Sequence, residues 1–311
     1  MSQTEETIAV VVVTYNSERL LADLVASLGT GLEGVSWHLT VADNASVDGS
    51  AAAVRRLAPG SLVVEMGRNA GYAAGINAAV AAARPHTAVL VLNPDIRLAP
   101  KSGRELLAVL RGSDAGIVVP RLERGDGSAI HVLRREPSPL RAFGDALLGA
   151  HRAGRFGPLG ELVVGDHLYT GQTEADWAAG SAMLLSAECW TRVGPWDESF
   201  FLYSEETDFA LRARDAGLAT RLAPSALAVH LEGESKQSPG LWALLNLNRV
   251  RLYRRRHGWL PTALYWAALL LRETSRAVLG NKASRAAARA LVSPSRLRAT
   301  PSPELVRALA A

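Results

Sequence analysis

The stretch IAVVVVTYNSERLLADLVASLG, Ile8–Gly29, decides the fold. Ile8 to Val13 is an unbroken apolar run, mostly β-branched, which is the composition of a strand buried on both faces. Ser17 offers an N-cap to the helix that follows, about Glu18 to Leu28. A doubly buried strand that runs directly into a helix is the opening unit of a parallel sheet with crossover helices.

The same unit repeats outward along the chain. Trp37–Ala42 reads as a second strand and ends at Asp43. Asp48–Leu57 is helical, Ser61–Glu65 is a third strand, and Gly71–Ala83 is an alanine-rich helix. Thr87–Leu92 is a fourth strand, ending in Asn93-Pro94-Asp95. This alternation predicts an α/β fold with a Rossmann-like, mostly parallel central sheet flanked by helices and right-handed crossovers. In such sheets ligands bind at the carboxyl ends of the strands. The polar residues gather there: Thr14, Tyr15 and Asn16 after the first strand, Asp43 and Asn44 after the second, Asn93 and Asp95 after the fourth.

Further on, residues 121–175 are rich in Gly, Pro and Arg and read as a variable insertion, a lid or a platform. Gly180–Ser186 reads as a strand, Ser204–Ala216 as a helix, and Ala226–His230 as a short strand. From Leu241 the chain turns to basic, amphipathic helices, with a fraying end expected after Val292. The expected division is a catalytic domain over 1–236 and a helical extension over 237–311.

Composition narrows the function classes. Of 311 residues, 48% are hydrophobic, enough for a sizeable core, and the single cysteine, Cys189, excludes a disulfide framework or a cysteine-rich metal site. No signal-peptide pattern opens the chain. The apolar run Leu260–Leu271 is shorter than the ~20 residues that span a bilayer. Residues 241–311 hold 13 of the 34 Lys+Arg and only 2 of the 30 Asp+Glu, so an acidic body carries a basic tail. Such a tail seeks an anionic partner. Leu247–His257 mixes arginines with Tyr253 and is followed by the tryptophan-bearing segment of Trp259 and Trp266. This pattern fits an interfacial helix on an anionic membrane surface better than a nucleic-acid partner. A plain solvated helix is the alternative. The oligomeric state is open, a homo-oligomer included.

The block WDESFFLYSEETDFALRARDAG, Trp196–Gly217, concentrates the chemistry. Glu205, Glu206 and Asp208 follow an aromatic run, where carboxylates either cap a solvated helix turn or serve as proton acceptors and cation ligands. Asp43, at a strand end, suits acceptance of a pyrimidine N3–H, or else caps a turn. GRNAGYAAGIN, Gly67–Asn77, lets backbone approach a diphosphate, with Arg68 and Asn69 beside it, though close helix packing also explains Gly71 or Gly75. Asp95 suits a hard divalent cation, or a turn after Asn93-Pro94. His230, followed by Gly233 and Ser235, is either a metal or phosphate ligand or a structural histidine.

Taken in order, VVVTYNS, VADNASVDGS, GRNAGYAAGIN, VLNPD, AAGSAMLLS, the 197–217 block and VHLEGES resemble glycosyltransferase family 2, inverting enzymes of GT-A fold, and within it a rhamnosyltransferase-like branch. The likeness covers about residues 8–236. It implies that Thr14 and Asp43, with Tyr15, Asn16 and Asn69 nearby, hold the nucleotide base, and that Arg68 lies near the base or diphosphate. It implies a Mg²⁺ or Mn²⁺ ion at Asp95, in a motif reading Asn93-Pro94-Asp95 with one carboxylate, and at His230. The family base is the second acid of a Glu-Asp pair, which falls on Glu206, a Glu where Asp is usual, with Glu205 and Asp208 as supporting acids. The expected activity is transfer of L-rhamnose from dTDP-L-rhamnose to a polyprenyl-diphosphate-linked saccharide in cell-wall or polysaccharide assembly, at the inner face of the cell membrane. The alternatives are a hexosyl or galactofuranosyl transferase using a UDP-sugar, and a non-catalytic nucleotide-sugar or glycan binder.

Overall fold

The computed structural model describes residues 6–231 and 238–310. The turn expected to follow His230, with Gly233 and Ser235, lies outside the described residues. Strand β1 (Thr7–Thr14) pairs in parallel with β2 (Ser36–Asp43), which pairs in parallel with β3 (Leu62–Glu65). On its other side β1 pairs in parallel with β4 (Ala88–Leu92). The helices α1 (Glu18–Gly31), α2 (Ser50–Leu57) and α3 (Tyr72–Ala82) make the crossovers. Residues Ile8 to Val12 are fully buried, as their composition requires.

The sheet then continues through strands of mixed direction. These include β5 (Ile96–Leu98) and β6 (Ala115–Glu123), joined by α4 (Ser102–Arg111). Of four two-residue strands, β7 (Ala129–Ile130) and β9 (Glu174–Ala175) pair with β6 and with the last strand of this sheet, while β8 (Leu133–Arg134) and β10 (Trp177–Ala178) pair with each other in a separate sheet. The last two strands are β11 (Ala182–Ser186) and β12 (Ala219–His230). The main order is β3-β2-β1-β4-β11-β6-β12-β5. β11 is antiparallel to both neighbours, β4 and β6, while β12 is parallel to β6. The strand expected over Ala226–His230 is therefore the end of one twelve-residue strand. Its register shifts between Ala223 and Leu227, which splits the sequence signal.

Several expectations need correction. Ser17 makes no side-chain cap bond to α1; Asp48 supplies it from the next loop, accepting from Glu18 N–H at 3.0 Å. Residues 121–175 are not simply irregular: they hold β7 to β9, α5 (Pro139–Leu148) and α6 (Ala150–Gly154). The end of the chain does not fray. After α9 (Pro239–Arg256), α10 (Trp259–Val278), α11 (Lys282–Leu291) and α12 (Pro294–Arg298), helix α13 (Pro303–Ala310) folds back against α9. Gly240 admits that contact, because a Cβ there would lie 2.2 Å from the Val306 carbonyl oxygen.

Two hydrophobic cores result. The larger surrounds the sheet, and the smaller joins α9, α10, α11 and α13 to Ala142 of α5 and Phe201. Phe201 lies just before α8 (Glu205–Asp215), so the acidic block sits at the seam of the two cores.

Candidate active site

The site is assembled where the parallel strands end. Thr14 and Asp43 are register partners at the tips of β1 and β2. Thr14 Oγ1 donates to Asp43 Oδ1 at 2.8 Å, Ser46 Oγ donates to the same oxygen at 2.6 Å, and Ser46 N–H donates to Oδ2 at 2.9 Å. Both residues are buried. Asp43 is thus fixed by three internal donors, and a carboxylate's two oxygens retain room for one more. Asn16, with φ 51°, accepts from Val47 N–H through Oδ1 at 2.9 Å and so ties the first loop to the second. Asn44 bridges onward: its Nδ2 donates to the Gly71 carbonyl at 2.9 Å, and its Oδ1 accepts from Ala70 N–H at 3.3 Å.

Beside these loops lies a cavity of about 380 Å³ lined by Tyr15, Asn44, Asn69, Gly71 and Tyr72 on one side and by Leu241, Val306 and Arg307 of the helical extension on the other. Arg68 is exposed and stands outside that lining. Gly71 is required by geometry. Its φ is +96°, and a Cβ would lie 2.3 Å from the Phe201 carbonyl oxygen.

A second cavity, about 290 Å³, adjoins it through Tyr72 and Leu202 and is lined by Asn93, Arg134, Gly180, Ser181, Glu205, Glu206 and His230. Tyr72 Oη donates to Asn93 Oδ1 at 2.7 Å. Asp95 Oδ2 and His230 Nε2 lie 3.2 Å apart, both partly exposed, across the β12–β5 pair. Among the described residues no group of three or more His, Cys, Asp or Glu gathers as a metal cage. Asp95 offers an oxygen of the kind hard divalent cations take, and the His230 imidazole lies beside it as a nitrogen donor.

The acidic block divides into three fates. Asp208 leaves the cavity and pairs with Arg212 Nε at 2.7 Å, one helical turn on. Glu205 is buried, and its Oε2 has no hydrogen-bond partner. Burial, and then the charge of Glu206, pushes its carboxyl well above the ordinary range. Glu206 is half-buried. Burial raises its carboxyl too, while the backbone N–H groups of Glu206, Thr207 and Ser204 and the Arg134 guanidinium hold the rise back. The Tyr72 hydroxyl is pushed up by burial and by the charges of Glu205, Glu206 and Asp95.

Glu206 also lines a third cavity, about 170 Å³, on its other side, walled by Arg134, Pro137, Trp177, Leu245 and Leu252. Among the described residues only Arg134 and Glu206 line both cavities. A carboxylate between two chambers can take a proton from a group in one while a second molecule occupies the other.

The structure therefore brings Thr14, Asp43 and Asn16 into one loop cluster. It places Tyr15 and Asn69 on the first cavity, and Asn93, His230, Glu205 and Glu206 on the second. Sequence reading did not single out Tyr72, Arg134 or Trp177. Tyr72 lies inside the glycine motif and could have been noticed there. Arg134 sits in a segment whose strands are two residues long and give no periodic signal.

A model described as glycosyl transferase family 2 matches residues 9–157, and one described as glycosyl transferase family group 2 matches residues 167–295. The N-acetylglucosaminyl-diphospho-decaprenol L-rhamnosyltransferase of Mycobacterium tuberculosis is 30% identical over 278 residues, covering 84% of this chain and 89% of that protein. The low-salt glycan biosynthesis hexosyltransferase Agl10 of Haloferax volcanii is 26% identical over 212 residues, 67% of this chain and 61% of that protein. Among solved structures, mannosyltransferase PcManGT from Pyrobaculum calidifontis, in complex with GDP-Man and Mn²⁺, superposes with a TM-score of 0.57 at 15% identity, covering 99% of this chain and 88% of that one. Residues 1–349 of S. aureus TarS give 0.52 at 14% identity, covering 97% and 83%. At such identities these structures speak to the fold.

Proposed function

The chain belongs to glycosyltransferase family 2, with its GT-A fold and transferase activity, and from that premise we propose that it moves L-rhamnose from dTDP-L-rhamnose to a polyprenyl-diphosphate-linked saccharide, with inversion. The observation that carries this reading is Glu206, which stands between the cavity of Asn93 and His230 and the cavity of Trp177.

In this reading the pyrimidine ring lies at Thr14 and Asp43, where Asp43 Oδ2 accepts the ring N3–H. The diphosphate lies toward Asn69, Gly71 and Arg68. Asp95 and His230 would hold a Mg²⁺ or Mn²⁺ ion, and the chemistry it would supply is neutralisation of charge on the leaving diphosphate. The acceptor saccharide enters the cavity of Trp177, Leu245 and Leu252. Glu206 takes the proton from its hydroxyl. The oxygen attacks the anomeric carbon while the bond to the nucleoside diphosphate breaks on the opposite face. A single displacement needs one base and inverts the configuration, unlike the two carboxylate roles of retaining chemistry.

The helical extension supports a membrane-linked acceptor. No helix among the described residues is long and apolar enough to cross a membrane. Yet Leu260, Leu264, Leu271 and Val278 are all exposed on α10 at helical spacing, on the side opposite buried Tyr265 and Leu269. Trp259, 70% exposed, precedes the stripe, and exposed Arg254 and Lys282 lie in sequence just before and just after α10. An apolar stripe between basic groups suits the inner face of an anionic membrane.

A donor panel tests the assignment. Purified protein is given dTDP- and UDP-sugars with Mg²⁺ or Mn²⁺ and a short polyprenyl-diphosphate-GlcNAc, and the anomeric configuration of the product is read by NMR. Transfer from dTDP-L-rhamnose with inversion is the expected result. Preference for a UDP-hexose would replace the donor, and retention would reject the single-displacement mechanism.

A further inference from the structure

The segment that delivers Glu206 is strained. Phe201, Tyr203 and Ser204 have φ of 62°, 69° and 76°, in the left-handed region that disfavours side chains with a Cβ. Such a turn persists only where its surroundings fix it. One side is fixed by the sheet domain, where Tyr72 N–H donates to the Phe201 carbonyl at 2.7 Å across Gly71. On the other side the helical extension holds it: Phe201 packs into the core of α9 to α13, Arg255 lies over the Phe200 ring at 4.5 Å, and one residue of α9 bonds the turn's backbone carbonyls.

That residue is Asn248 of α9, which is fully buried. The two hydrogens of its Nδ2 are given to three carbonyls within reach, one of them shared: Phe200 at 2.8 Å, Leu202 at 2.9 Å and Tyr203 at 3.2 Å. Its Oδ1 accepts from Arg251 Nη1 at 2.7 Å, which orients the amide, and Arg251 is in turn anchored on the carbonyls of Arg296 and Ala299. Sequence reading took Leu247–His257 as a basic interfacial helix, with a nucleic-acid partner or a plain solvated helix as alternatives. The Asn248 side chain, near its start, instead faces inward onto the turn before α8.

We propose that Asn248 is a positioning residue for the transfer reaction, holding the 200–204 turn so that Glu206 stands between the two cavities. The proposal rests on the reading of Glu206 as the base. The helical extension then has a part in the chemical step as well as in any membrane contact.

The test compares Asn248→Asp with wild type and with Glu206→Gln, in the full chain with a soluble short-chain acceptor. Asp keeps the size and the oxygen that accepts from Arg251 but has no N–H to give the three carbonyls. The expected result is a fall in kcat of about tenfold or more, with donor KM within about twofold. A second readout separates positioning from general packing. It is read on Asn248→Leu, which removes the donor without adding a charge: a loosened turn admits water to Glu206, so the acidic limb of the pH–rate profile moves to lower pH. The titratable and charged groups that line the two cavities with Glu206 are Glu205, Tyr72, Tyr203, His131, His230 and Arg134 on one, and Arg134, Glu161 and Arg249 on the other, and none is altered. Asn248→Ser, which is small and still able to donate, covers the case in which Asp does not fold. It is expected to retain an intermediate kcat. Wild-type kcat in Asn248→Asp beside an inactive Glu206→Gln would overturn the proposal. So would kcat and donor KM worsening together with an unmoved pH limb. Full turnover by Glu206→Gln would instead reject the base reading, and with it any need to position that residue.

Discussion

Glu206 titrates under opposing influences. Burial raises its carboxyl, while three backbone N–H groups and Arg134 lower it. A base must be ionised, so turnover is lost as pH falls through the raised value. The acidic limb of kcat is therefore expected above the ordinary glutamate value of about 4.3, and a limb at or below that value would show a solvated carboxylate. Gly71 makes a second prediction at this scale. Ala there meets both the +96° φ and the Phe201 carbonyl, so Gly71→Ala is expected to destabilise the fold by roughly 1–3 kcal/mol and to lower kcat through the displaced turn. Unchanged denaturant midpoints and turnover would contradict the close approach. These residues were partly legible in the sequence. Glu206 and Gly71 lie in motifs whose composition is unusual for a surface. Asn248 was not legible, because an asparagine among arginines on a basic helix has the composition of a solvated face.

The βα units were readable because each strand is buried on both faces and each helix follows it directly. Doubly buried strands show as apolar runs, and β1 to β4 fall within a residue or two of their expected limits. The mixed half of the sheet was not readable to the same degree. The strands β7 to β10 are two residues long: β7 closes a hairpin on β6, while β8, β9 and β10 exist only by pairing with distant partners, β8 and β10 in a small sheet of their own. Helix α10 carries the prediction for elements. Its outward Leu264 and Leu271 touch no core, so Leu264→Glu with Leu271→Glu should leave turnover of a soluble acceptor unchanged. The same pair should weaken sedimentation with vesicles containing anionic lipid by about tenfold. Undiminished vesicle binding would remove this stripe from the membrane contact.

The whole molecule places ionisable groups where its two cores meet, and it does so at a cost to stability. Glu205 is buried with one oxygen unpartnered, and its folded-state carboxyl lies well above its unfolded value. The native state therefore binds more protons than the unfolded chain as pH rises above the ordinary carboxylate range. Stability linked to this group is present below the unfolded pKa and is lost as pH climbs toward the folded one. Glu205→Gln is accordingly expected to raise Tm at pH 7.5, by the equivalent of roughly 1–3 kcal/mol, with little gain at pH 4. An equal gain at both pH values would mean that the charge is not the cause. The C-terminal helices take Phe201, from the turn before α8, into their own core, which is why a helix of basic composition reaches the active-site turn.

The most direct test of the account is transfer from dTDP-L-rhamnose to a short polyprenyl-diphosphate-GlcNAc by wild type and by Glu206→Gln, with donor binding measured on both by calorimetry. The account predicts that the variant binds donor with an affinity within about twofold of wild type and loses turnover by about a thousandfold or more. Substantial turnover by the variant, with donor binding intact, would contradict the assignment of Glu206 as the base between the two cavities.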